Sequence, residues 1–318
     1  MSVTKNHQSP DTLYRLCGAA FPGRAVSAVT ELTEGMFNAA YQVDFTDGGA
    51  SVLKIAAADA SGLLSNEINL MQAEVAAMRL LREHGVPHVA QVQHADFTHA
   101  LCNGSFFFME CLPGRSLNAC RSELSEETIA HVLTQVGHFQ RQTSAIHSES
   151  FGLLGDEKRF PTLFGLVRYM FENVLHDAQI KQVRLDLSAD ELLNRLEADR
   201  AVFDEIKAPS LVHWDMWEGN IFEENGELCG VIDWERAMWA DPFMDNRFRR
   251  HNRQPDFLAG YGQATFSPAE MRRLAWYDLF LYITMVVECF YRQYDNPDGM
   301  LGWLRPLLEA SWQDVLCG

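Results

Sequence analysis

Between Leu211 and Asp245 the chain reads LVHWDMWEGNIFEENGELCGVIDWERAMWADPFMD, and the order of residue types leaves this stretch few ways to fold. Leu211 and Val212 run into His213, Asp215 and Asn220, and then into Ile221 and Phe222. That order reads as strand, polar loop, strand. Asn225-Gly226 between apolar runs is a strong hairpin signal, and the return strand from Leu228 to Ile232 ends on Asp233. A hairpin brings the beginning of one strand beside the end of the other, so Asn220 and Asp233 are expected to be neighbours. An amide oxygen with a carboxylate is a hard-oxygen pair of the kind Mg²⁺ accepts while keeping waters and phosphates. Asp215 lies just ahead of that pair, placed to orient and deprotonate a hydroxyl that approaches a metal-bound phosphate. The alternative for such Asp and Asn residues is a pair of solvated turns.

A chain of 318 residues is long enough for one large domain or two lobes with real cores. Its formal charge of -17, from 43 acidic against 26 basic residues, disfavours nucleic acid as a partner and would favour a cationic small molecule. Residues Met1 to Pro10 lack the apolar core of a signal peptide. The most apolar run, Leu279 to Val287, is short of a bilayer span and reads as a buried helix, so no membrane is expected. Seven cysteines without a C-x-x-C pair point to reduced thiols and a cytoplasmic setting. No feature calls for an obligate protein partner.

Ser9-Pro10-Asp11 has the form of a helix start, and that helix ends at Pro22-Gly23. Three short strands follow, Val26 to Leu32, Tyr41 to Phe45 and Ser51 to Ile55, joined by tight turns into an antiparallel meander. In the third, Lys54 sits in an otherwise apolar run. A buried lysine is costly unless an anion meets it; an outward-facing edge position is the other option. A helix is expected from Leu63 to His84, with Leu70, Met71, Val75, Met78 and Leu81 as its apolar stripe and Glu67 and Glu74 among its acids. Val89 to Val92 and Phe106 to Met109 supply two more strands before a loop at Glu110 to Gly114. Helical patterns then dominate: Ser125 to about His147, Leu163 to about Ile180, Leu192 to about Ile206, Met271 to Tyr294 and Leu301 to Leu316. His84, His88, His94 and His99 are spaced too irregularly for a metal site and read as surface residues.

The pattern H-x-D-x-x-x-x-N followed by a strand ending in Asp resembles the catalytic and metal-binding loops of the protein-kinase-like fold. More closely, His213 to Asn220, Gly230 to Glu235 and Ala240 to Asp245 resemble the aminoglycoside phosphotransferase family of small-molecule kinases. The resemblance implies an α+β, two-lobed fold: a small antiparallel-sheet lobe over residues 1–110 that binds nucleotide, and a larger, mainly helical lobe over 111–318 that carries catalysis and the acceptor. It implies transfer of the γ-phosphate of ATP or GTP, with Mg²⁺, to a hydroxyl of an aminoglycoside-like antibiotic or a small metabolite.

The same resemblance assigns roles. Gly35, Asn38 and Tyr41 look like a G-x-x-N-x-x-Y phosphate hairpin, Lys54 like the phosphate-binding lysine, and Glu74 like its ion-pair partner, with Glu67 on the exposed side. Phe108 to Leu112 look like a hinge whose backbone, at Glu110 and Leu112, would meet a purine edge. Asp215 is the expected base, Asn220 and Asp233 the Mg²⁺ ligands, His213 and Asp245 supports of the loop, and His147 a structural residue at a helix end. Asp241 is expected to cap a helix, and Glu235 to assist the metal, contact substrate or stay solvated. The chain departs from the family at Trp214 and Trp217, where relatives carry glycine and a small or basic residue. With Trp239 these rings either pack the loop onto the helical lobe, or Trp217 or Trp239 lines the acceptor pocket and stacks on a ring or cation. Two other functions fit parts of the pattern: a nucleotide-binding regulator with little catalysis, and a metal-dependent phosphohydrolase built on His213, Asp215, Asp233 and Glu235. A binding module has no need of Asp215, and a hydrolase has no need of the hairpin, strand lysine and helix glutamate.

Overall fold

The computed structural model describes residues 5–35, 37–294 and 296–317. Its first part is built on a five-stranded sheet with every neighbouring pair antiparallel: β1 (Val26–Leu32), β2 (Ala39–Phe45), β3 (Ala50–Ile55), β4 (Val92–Asp96) and β5 (Phe106–Glu110), in the order β1-β2-β3-β5-β4. Helix α1 (Pro10–Ala20), capped by Ser9 and opened by Pro10, covers one face. There Leu13, Leu16 and Cys17 pack on Val43, Phe45, Leu53, Ile55, Phe106 and Phe108. Helix α2 (Leu70–Glu83) covers the other, with Met71, Val75 and Met78 in one core with Val52, Phe107 and Met109. Because side chains alternate along a strand, Lys54 shares the face of Val52, toward α2, and is buried. The outward-facing option for this lysine is thereby removed.

Helix α2 begins at Leu70, seven residues later than the sequence pattern suggests. Asn69 takes a left-handed backbone (φ 47°) that a continuous helix cannot contain, and its side-chain amide donates to the Gly155 carbonyl. Residues 63–69 therefore form turns, and Glu67 is buried rather than exposed. Strand β4 likewise begins at Val92, because His88 is left-handed and Val89 and Ala90 are loop.

Past Glu110 come a two-residue strand β6 (Arg115–Ser116), the short α3 (Leu117–Cys120), α4 (Glu126–Ser144), β7 (Gly152–Leu153) and α5 (Leu163–Ile180). His147 lies beyond the end of α4 and bridges to Ser210 instead of closing the helix. The helix expected from Leu192 is two, α6 (Ala189–Ala198) and α7 (Arg200–Asp204), broken at Asp199. Then follow β8 (Ser210–Val212), the hairpin β9 (Ile221–Glu224) and β10 (Glu227–Val231), and β11 (Met238–Ala240). Two small sheets, β10-β9-β6 and β7-β11-β8, hold the loops between them. Helices α8 (Pro255–Tyr261), α9 (Pro268–Arg292) and α10 (Pro297–Cys317) complete the lobe, whereas Asp241 caps only the single turn Pro242–Met244. Helix α9 is long and apolar enough to cross a bilayer by length and composition, yet 83% of its most apolar window is buried against the rest of the chain. It is the central helix of this lobe's core.

Candidate active site

The loop between β8 and β9 is shaped by hydrogen bonds to its own backbone. His213 is fully buried; its Nε2 donates to the Ile232 carbonyl at 2.8 Å, and its Nδ1 accepts the Asp215 N–H at 3.2 Å. One nitrogen donating and one accepting is the neutral tautomer, and burial pushes the imidazole pKa down, which keeps it neutral. Trp214 adopts φ 74°, a conformation unusual for a bulky residue, and is held there from two sides. Its N–H donates to Asp245 Oδ2 at 3.0 Å, and its carbonyl accepts the Asn246 N–H at 3.0 Å. The other Asp245 oxygen takes the Arg247 N–H at 3.0 Å, so this buried carboxylate is spent on backbone.

Held in this way, Asp215 is half-buried at the head of the loop. Burial raises its carboxyl to about 7; Arg236 opposes that shift, while Asp233 and Glu288 add to it. Asn220 donates its side-chain N–H to the Asp215 carbonyl at 2.9 Å, which leaves the amide oxygen for a cation. The Ile232 N–H donates to the Asn220 carbonyl at 3.0 Å, so the hairpin places Asn220 one residue from the partner of Asp233.

Asp233 is itself left-handed (φ 70°), a strained backbone that swings its carboxylate toward the sheet lobe. Its Oδ1 meets Lys54 Nζ at 2.6 Å, and the same ammonium lies 2.8 and 2.7 Å from the two Glu74 oxygens. Burial alone would push the ammonium down, but Asp233 and Glu74 outweigh it and hold the pKa up. The charge of Lys54 in turn outweighs burial at Asp233 and keeps that carboxylate ionised. Among the described residues, Glu74, Asp233 and Glu235 bring oxygens within 4.8 Å of one another. With the Asn220 amide on the neighbouring loop, these carboxylates are the hard oxygen donors that Mg²⁺ takes.

The remaining expected residues divide. Asn38 donates to Glu235 Oε2 at 2.7 Å, so the hairpin between β1 and β2 reaches across to the loop after β10, and Glu235 is buried there and not solvated. Gly35 is exposed on that hairpin with open space around it. The Glu110 N–H is bonded to the Gln91 carbonyl at 2.9 Å, and Leu112 lies so close over Gly230 that a Cβ there would stand 2.2 Å from its Cδ1. Trp217 is 37% exposed beside Gly219. Trp239 lies in β11, paired with Leu211 and Gly152, and is buried in the core. Trp214 is buried as well, between Phe280 (6.3 Å) and the Arg236 guanidinium (5.0 Å).

One cluster had no motif to announce it. Arg236 reaches Glu67 at 2.7 Å and also Glu288; Arg292 lies 2.6 and 2.7 Å from the Glu67 oxygens, donates to the Gly62 carbonyl and stands 4.2 Å over the Phe37 ring. Its trace in the sequence is Glu288 and Arg292, four residues apart just past the apolar run of α9.

A family model described as the phosphotransferase enzyme family matches residues 28–277. No curated protein sequence matches the chain. Solved structures do. A thermostable mutant of the aminoglycoside phosphotransferase APH(4)-Ia is 18% identical, with a TM-score of 0.68 over 98% of this chain and 100% of the other. A candidate fructosamine-3-kinase from Thermobifida fusca is 18% identical, with a TM-score of 0.66 over 94% and 98%. The GDP and kanamycin complex of a further aminoglycoside phosphotransferase is 16% identical, with a TM-score of 0.66 over 95% and 98%. At these identities the structures establish the two-lobed kinase-like fold, and the family match covers both lobes and every loop described above. The chain belongs to the phosphotransferase enzyme family, the small-molecule kinases of the protein-kinase-like fold.

Proposed function

We propose that the protein transfers the γ-phosphate of ATP or GTP to a hydroxyl of a small molecule, with Mg²⁺ bound by Asn220 and Asp233 and assisted by Glu235. The observation that carries this reading is the meeting of Lys54, Glu74 and Asp233 within 2.6 to 2.8 Å, beside a loop that presents Asp215. Lys54, steadied by Glu74, neutralises the phosphates, and the metal, when bound, screens the charge that builds on the transferring group. Asp215 accepts the proton of the acceptor hydroxyl, a task suited to a carboxyl near neutrality. His213 and Asp245 fix the loop and move no proton. The related structures solved with AMP-PNP and hygromycin B, or with GDP and kanamycin, support a nucleotide donor and a small acceptor as the general scheme.

The test is to incubate the protein with Mg-ATP or Mg-GTP and a panel of alcohols, amino alcohols, sugars, nucleosides and antibiotics. Nucleoside diphosphate and free phosphate are then measured separately. Diphosphate matched by a phosphoester is the expected result. Diphosphate matched only by free phosphate would make the protein a hydrolase, and tight nucleotide binding without turnover on any acceptor would make it a regulator.

A further inference from the structure

From Asp215 to Asn220 the catalytic loop is closed on its own backbone. The Trp217 N–H donates to the Asp215 carbonyl at 3.0 Å, the Asn220 N–H donates to the Trp217 carbonyl at 3.0 Å, and the Asn220 side chain returns to the Asp215 carbonyl. A shift anywhere in residues 216–219 is therefore passed both to the carboxylate that would take the proton and to the amide that would hold the metal. The buried Met216 side chain anchors this unit from below, but apolar packing gives it no direction. Among the described residues, the one hydrogen bond that reaches residues 216–219 from outside the loop is made by Arg121, whose Nη1 donates to Glu218 Oε1 at 2.6 Å. Arg121 opens the single turn Arg121–Glu123 that follows α3, soon after the chain has left the sheet lobe.

Glu218 also answers a second guanidinium. Arg247 is fully buried, donates to the side-chain oxygens of Asn252 and Gln254 at 2.9 and 3.1 Å, and among the described residues keeps a buried Nε without a hydrogen-bond partner. Burial pulls its pKa down to about 10, and the Glu218 and Asp245 carboxylates oppose that pull. Asp245 is already spent on the Trp214 and Arg247 N–H groups. Arg247 thus attracts Glu218 from within the core, while Arg121 bonds it and sets its direction. Removing Glu218 would leave a buried charge with less to offset it, whereas Arg121 is partly open to solvent and can be replaced without disturbing the core.

We propose that Arg121 is a positioning residue for phosphoryl transfer: by holding Glu218 it sets where the Asp215–Asn220 unit stands against Asp233. That role rests on the phosphotransferase reading above, which gives Asp215, Asn220 and Asp233 their tasks. Both partners of the pair are partly open to solvent, which limits the tether to about a threefold to fivefold narrowing of the positions the loop takes. A loop that spends a smaller fraction of its time in the binding position binds Mg-nucleotide more weakly by that fraction.

The test compares the full chain with Arg121→Met, Arg121→Lys and Arg115→Met. Arg115 lies on the same segment but spends its guanidinium on Glu123 at the surface, so it serves as the control. In Arg121→Met, deuterium exchange at the Trp217 and Asn220 amides should quicken about threefold to fivefold, and the Kd for Mg-AMP-PNP, read by calorimetry, should rise by the same factor. The pair is a single hydrogen bond, so Arg121→Lys keeps both charge and donor and should stay within about twofold of the unaltered chain. Arg115→Met should match the unaltered chain in both readouts. Unchanged exchange or an unchanged Kd in Arg121→Met overturns the proposal, as does an Arg121→Lys no better than Arg121→Met. An equal loss in Arg115→Met overturns it too, because that marks a general loosening of the segment. If Mg-AMP-PNP fails to bind the unaltered chain, the phosphotransferase reading falls and the role of Arg121 with it; if it binds and only the Arg121→Met result fails, that role alone falls.

Discussion

Asp215 illustrates how a buried position sets chemistry at the residue scale. Burial brings its carboxyl to about 7, and only the deprotonated form can take a proton. Turnover should therefore be lost as pH falls through about 7 and reach a plateau above about 8, in a kcat/KM profile with saturating Mg-ATP; a rate flat from pH 5 to 8 would contradict this. Asp215→Ala should lower kcat by roughly 10²–10⁴ and leave nucleotide binding nearly intact. Asp233→Ala should instead abolish thermal stabilisation by Mg-ATP, because it would remove the proposed metal ligand and does remove one of the two anions facing Lys54. The pairing of Lys54 with Glu74 was legible through the family resemblance alone, since alternation in β3 also permitted a lysine that faces outward. Glu67, expected on the exposed side of the α2 helix, is buried, because the left-handed Asn69 stops the helix short of it without altering the apolar pattern. Nothing local marks Arg236, whose partners lie 169 and 52 residues away.

At the scale of elements, α4 and α8 cross where each presents a glycine. A Cβ on Gly137 would stand 2.3 Å from the Phe257 carbonyl oxygen and 2.5 Å from the Tyr261 nitrogen, and one on Gly260 would stand 2.0 Å from the Thr134 carbonyl oxygen. Backbone cannot yield as a flexible side chain can, so the helices must separate. Gly137→Ala or Gly260→Ala should cost about 1–3 kcal/mol or more, read as a lower urea midpoint, and the double variant should cost less than the two together because they open the same gap. Periodicity placed α4 and α9 and the hairpin β9–β10 well, since each has a long stripe or a strong turn signal. It could not reveal the break at Asp199, because α6 and α7 keep apolar residues on both sides of the interruption. Nor could it show that Trp239 pairs on both edges of β11, which is a fact of sheet assembly rather than of local sequence.

For the whole molecule, the cross-link made by Arg292 is the feature that local reasoning could not supply. It joins α9 of the helical lobe to the Gly62 carbonyl, Glu67 and the Phe37 ring, all from the sheet-lobe half of the chain. Arg292→Met removes one member of a buried charged set and leaves Glu67 short of a partner. The expected loss is about 3–5 kcal/mol, measured by chemical denaturation, with a smaller loss in Glu67→Gln/Arg292→Met, where both charges go together. The order of elements along the chain was readable because each lobe is contiguous in sequence. The bonds of Arg292 to Gly62 and Glu67, which tie the lobes together, join residues more than two hundred positions apart. The covalent passage through Glu110 to Gly114 is backed by the guanidinium clasp at Arg292 and by Lys54 on Asp233 and Asn38 on Glu235, so the two halves are stitched at several points along the cleft. Swinging them apart to admit a nucleotide should therefore break several polar ties together.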